Sequence, residues 1–103
     1  MSTNPPDSQY PSRVEQLVAR ARRAQRRGEL RQALVALREA TLSAETDPRL
    51  WALYGAACAR VKRIADAEQA FGQALYFRQR KQDVRRVRTI QAVLERLRVG
   101  RAA

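Results

Sequence analysis

No histidine occurs among the 103 residues. That removes the commonest general base near neutral pH and the commonest metal ligand. A single cysteine, Cys58, excludes a disulfide within the chain and points to a reducing, cytoplasmic compartment. No stretch of 18 apolar residues is present, so no membrane-spanning helix is expected. The first twelve residues, "MSTNPPDSQYPS", lack a basic region followed by an apolar one and do not read as a secretion signal. Glycine-rich phosphate loops, zinc-ligand spacings and paired carboxylates are also missing. These absences argue against an enzyme and leave no cofactor or metal site to expect. Aromatic residues make up only 6% of the chain, so any core must be built from aliphatic and small side chains.

What the chain has is alanine, which favours helices and lets them approach closely, and positive charge. The formal net charge is +11, and only Lys62 and Lys81 of the 21 basic residues are lysine. A GC-rich genome accounts for arginine in place of lysine but not for a charge of this size. The excess sits at the two ends: residues 13–31 carry seven basic and two acidic groups, residues 78–103 nine and two, and residues 32–77 five of each. Such surfaces attract phosphate backbones, anionic lipids or acidic proteins.

Three of the four prolines fall in residues 1–12, a segment that reads as a flexible lead-in. From Ser12 the pattern is helical. Ser12 and Glu15 have the spacing of a capping box, and Gly28-Glu29 interrupts the first helix. Residues 30–44 form a second. Asp47 as N-cap and Pro48 as first residue start a third helix over 48–61. A basic turn at Lys62 and Arg63 leads to a fourth over 64–78, and Asp83 introduces a fifth over 84–97, with residues 99–103 as a tail. No segment shows the alternation of a strand. The expected fold class is all-α, about five helices arranged as antiparallel hairpins within residues 13–98.

Shifting the chain by 34 residues superposes Leu17 on Trp51, Ala21 on Gly55, Ala24 on Cys58, Leu30 on Ile64, Ala33 on Ala67, Leu37 on Phe71 and Ala40 on Ala74. Size class is kept at each match, as expected where helices cross on small residues and large ones fill the gaps. With Pro48 as position 1, "LWALYGAACARVKRIADAEQAFGQAL" resembles the tetratricopeptide repeat, a 34-residue helix–turn–helix unit. Trp51, Tyr54, Gly55, Cys58, Ala67, Phe71 and Ala74 carry the resemblance in residues 48–81. Residues 14–47 form a weaker copy in which Arg20 replaces the usual apolar residue. The resemblance implies a right-handed superhelix closed by helix 84–97 as a solvating cap. It also implies that Trp51, Tyr54 and Phe71 are packing residues rather than a ligand platform. Cys58, at a packing position with no histidine to activate it, reads as structural rather than nucleophilic.

The same resemblance places a partner-binding surface on the first helix of each hairpin. In the first it is Glu15, Val18, Ala19, Arg22, Gln25 and Arg26; in the second, Arg49, Ala52, Leu53, Ala56, Ala59 and Arg60. Of these, Val18, Arg22, Gln25, Arg26, Ala52, Ala56 and Arg60 are the expected contacts: apolar anchors edged by arginine, suited to a peptide or helix with acidic flanks. The lysine–asparagine clamp with which some relatives of this repeat grip C-terminal carboxylates is absent, since Val18, Arg22, Ala52 and Ala56 stand at its positions. The groove is either open or filled by helix 84–97. That helix is two-faced: Val84, Val87, Ile90, Leu94 and Leu97 form one stripe, and Lys81, Arg85, Arg88 and Arg96 lie opposite. The leading expectation is a noncatalytic adaptor or small chaperone for an acidic protein segment. The alternatives are a nucleic-acid or ribonucleoprotein binder using Arg23, Arg27, Arg85, Arg86, Arg88 and Arg96, and a self-assembling homo-oligomer, because two repeats make a short array.

Overall fold

In the computed structural model, residues 11–102 are described. The expected flexible lead-in falls largely outside them. Residues 11–102 form five helices and no strand: α1 (Arg13–Arg26), α2 (Leu30–Ser43), α3 (Pro48–Arg60), α4 (Ile64–Arg80) and α5 (Val84–Ala102). None is long and apolar enough to cross a membrane.

Local chemistry sets the boundaries. The Ser12 hydroxyl accepts from the Glu15 N–H at 3.1 Å while the Glu15 carboxylate accepts from the Ser12 N–H at 2.9 Å. Two orphan donors of α1 are thereby satisfied reciprocally. The Asp47 carboxylate accepts from the Arg49 N–H at 2.9 Å and caps α3, whose first residue is Pro48. The two intrahairpin turns are alike. Gly28 has φ +77° and Lys62 φ +69°. Each is followed by a residue (Glu29, Arg63) whose N–H closes back on a carbonyl five residues earlier, on Ala24 at 2.8 Å and on Cys58 at 2.9 Å. The same closure occurs between α4 and α5, where Gln82 has φ +57° and the Asp83 N–H reaches the Arg78 carbonyl at 3.0 Å.

The core is made largely of alanine and leucine. Leu17, Ala21, Ala24, Ala33, Leu37, Ala40, Leu50, Cys58, Ala67 and Ala74 are almost wholly buried. Only helices adjacent in sequence pack extensively: α1 on α2, α2 on α3, α3 on α4 and α4 on α5. Small residues along these contacts let the axes approach closely, which is how a chain with so few aromatics closes a core.

The C-terminal boundary differs from the expectation. Helix α5 continues through residues 99–102 instead of ending at Leu97, despite Gly100. Arg101 lies 3.4 Å from the Glu68 carboxylate of α4. That opposite charge on another helix lies beyond the reach of any local signal. Along the predicted apolar stripe of α5, Ile90 and Leu94 are buried, Val93 and Leu97 pack against the core from its edge, and Val84 is 60% exposed. With α4 as its main support, α5 buries only a narrow line.

Candidate interaction surface

The residues expected to bind a partner do not share one environment. Val18 is 6% exposed and belongs to the core. This corrects its placement on an open groove: its side chain fills the space between helices. Glu15, Ala19, Arg22 and Arg26 are exposed on α1, and Gln25 is half-buried. On α3, Arg49, Ala56 and Arg60 are exposed, whereas Ala52, Leu53 and Ala59 are half-buried.

Helix α5 divides the α3 surface. A cavity of about 290 Å³ is lined by Arg49, Ala52 and Leu53 of α3, Arg78 of α4, and Arg86, Thr89 and Ile90 of α5. The cap thus roofs Ala52 and Leu53 without filling the space over them. Ala56 and Arg60, farther along α3, remain open. The cavity has an apolar floor and three guanidinium groups. Asp83 arranges two of them. Its carboxylate lies 3.1 Å from Arg86 and 3.6 Å from Arg78, and it also accepts from the Arg86 N–H at 3.3 Å. The Arg86 N–H, helped by the two guanidiniums, holds the Asp83 carboxyl below the usual carboxylate range. One carboxylate between two guanidiniums, with Arg49 nearby, leaves net positive charge around the cavity.

Arg86, expected with the general basic surface, is therefore engaged by Asp83. Arg78 was not expected at the site at all. Its side chain is only 17% exposed, because it turns inward across the α4–α5 loop to reach Asp83. The only sequence signal was an arginine and an aspartate five residues apart, spanning a predicted turn.

The remaining basic candidates are solvent-facing. Arg23 on α1, Arg27 at its C-cap, Lys81 in the α4–α5 turn, and Arg85, Arg88 and Arg96 on α5 are all exposed. Among the described residues, Arg27 approaches Glu29 at 3.8 Å, and the others make no ion pair.

Of the described aromatic residues, Tyr76, half exposed beneath Arg80, pairs edge to face with Phe77; the other three lie on α3 and α4. Phe71 is buried. Trp51 and Tyr54 are half-buried and border a cleft of about 400 Å³ with Leu34, Val35, Arg38 and Leu42 of α2 and Arg63 and Asp66 at α4. The Trp51 indole N–H donates to the Glu45 carbonyl at 2.6 Å, tying α3 to the loop before it. Cys58 is fully buried, and burial pushes its thiol pKa up. A thiol kept protonated in this way is a poor nucleophile. Among the described residues, no group of three histidine, cysteine or acidic side chains could hold a metal ion.

Comparison with family models, with curated proteins and with solved structures finds no match to this chain.

Proposed function

We propose that this chain is a noncatalytic helical-repeat adaptor of the tetratricopeptide type, binding an acidic peptide or helix of a partner protein. The carrying observation is the α3–α5 cavity, where Ala52, Leu53 and Ile90 lie beside Arg49, Arg78 and Arg86. An apolar floor with net positive charge around it suits a segment that offers an apolar side chain next to a carboxylate. Arg22, Gln25 and Arg26 on α1, and Ala56 and Arg60 on α3, extend the surface. Native co-purification across a salt series, with and without nuclease, tests the reading. Protein partners should survive nuclease and be lost from the Leu53→Glu variant. If nuclease strips every bound partner, the adaptor reading fails.

The exposed, unpaired Arg85, Arg88 and Arg96 favour a second reading, binding of a nucleic acid through its phosphates. With no aromatic side chain on α1 or α5 to stack on bases, such binding is sequence-independent and salt-sensitive. Loss of nucleic-acid retention on reversing the charges of Arg85 and Arg88 is the expected result, and unchanged retention would refute it.

A further inference from the structure

The positive charge lies on two surfaces at opposite ends of the helix ladder. On α1 and at its C-cap, Arg20, Arg23 and Arg27 are exposed and fall within about 60° of arc at 100° per residue. On α5, Arg85, Arg88 and Arg96 are exposed and fall within about 80°, on the side away from the buried Ile90 and Leu94. Of the six arginines, five make no ion pair among the described residues, and Arg27 has only the 3.8 Å approach of Glu29.

Three helices, α2 to α4, stand between these surfaces, and extensive packing runs only from neighbour to neighbour. At about 8–10 Å per packed pair, the α1 and α5 axes are about 20–40 Å apart. Electrostatic fields decay over about 8 Å at physiological ionic strength, so the two ends act independently. The three helices between them, residues 30–80, carry eight basic and five acidic groups, so most of the excess charge lies at the two ends.

Two independent cationic surfaces on a weakly charged body make a bivalent ligand for a polyanion. The polyanion that fits is a duplex. It presents about one negative charge per 1.7 Å of axis, while the twelve residues from Arg85 to Arg96 span only about 16 Å. Its bases are stacked inside, so a surface with no aromatic ring forgoes nothing. We propose that α1 and α5 each bind a nucleic-acid duplex through its phosphates, so that one molecule bridges two duplexes. This inference rests on the second reading above, the one in which phosphates are bound.

The test uses the full chain and two short random-sequence DNA duplexes, one held on beads and one fluorescent and free. Capture of the free duplex reports bridging, and fluorescence anisotropy with a single duplex reports binding. The variants are R20Q/R23Q/R27Q, R85Q/R88Q/R96Q and the corresponding Arg→Lys sets, each compared with the parent by circular dichroism melting. The parent should capture the free duplex. Each glutamine variant should lose capture while still binding a single duplex, with a log-affinity against log-salt slope of about −3 for the remaining end. The lysine variants keep the charge and should keep capture. Should the parent not bind a duplex at all, both the phosphate-binding reading and the bridging inference fall. Binding without capture, or capture that survives in either glutamine variant, overturns bridging alone.

Discussion

Gly55 on α3 and the ring of Phe71 on α4 touch so closely that a Cβ added to the glycine would lie 2.9 Å from ring carbons Cδ2 and Cε2. No real Cβ sits that near, so Gly55→Ala must displace a buried ring. The expected cost is about 1–3 kcal/mol, measured by chemical denaturation. Thirty-four residues earlier, Ala21 and Leu37 occupy the equivalent positions, both buried. A smaller partner there tolerates the methyl group. The double variant G55A/F71L should accordingly be less destabilised than the sum of the two single changes.

The two like turns differ in what they contain. Gly28 adopts its φ of +77° freely, whereas Lys62 holds φ +69° with a side chain in place. Left-handed backbone costs a non-glycine residue about 1–2 kcal/mol, offset in part by the greater freedom glycine has in the unfolded chain. Lys62→Gly should therefore stabilise the fold, by about 0.5–1 kcal/mol. Gly28→Ala should destabilise it by about 1–2 kcal/mol. Paired urea titrations check both signs.

Trp51 is a fastener for the α2–α3 loop. Replacing it with phenylalanine keeps most of the apolar contact but removes the donor to the Glu45 carbonyl. A loss of about 1 kcal/mol is expected, together with faster hydrogen exchange in residues 44–47. If exchange in that loop is unchanged, the indole bond does not restrain it.

Asp83 links pH to the docking of α5. Its folded-state pKa is depressed, so its contribution is present above the unfolded value and lost as pH falls through the lowered folded value. Stability should thus decline on acidification below the ordinary carboxylate range. Asp83→Asn should flatten that part of the profile and loosen α5 at neutral pH. Melting curves from pH 7 to pH 3 on the two proteins provide the comparison. Glu15, also depressed, by its bonds with Ser12, adds a slope of the same sign that the Asn variant retains.

Local chemistry made much of the fold legible. The Ser12–Glu15 box, Asp47 with Pro48, and Gly28 each act on their own neighbours, so their effect can be read without knowing what lies across the molecule. Leu17, Ala24, Ala33, Ala40, Ala67 and Ala74, which read as packing residues in the sequence, are all buried. Long-range effects were not legible. The burial of Val18 depends on how helices close around it. The pairing of Arg101, past Gly100, with Glu68 joins residues on different helices. Arg78 enters the site by folding back across a loop, and its five-residue spacing from Asp83 is too weak a signal to single it out from Arg80, three residues before the same aspartate.

Because each helix leans mainly on its neighbours in sequence, the helices are not equally dispensable. Loss of α1 or α5 shortens the stack and leaves a smaller one standing. Loss of α3 removes the link between α2 and α4 and parts the molecule in two. Stability in such a row is close to a sum of nearest-neighbour contacts, and fraying starts at the ends, where a helix has one extensive neighbour instead of two. In this chain those ends are also where the charge is concentrated. An anion held on α1 or α5 would therefore brace the helix that most easily comes away.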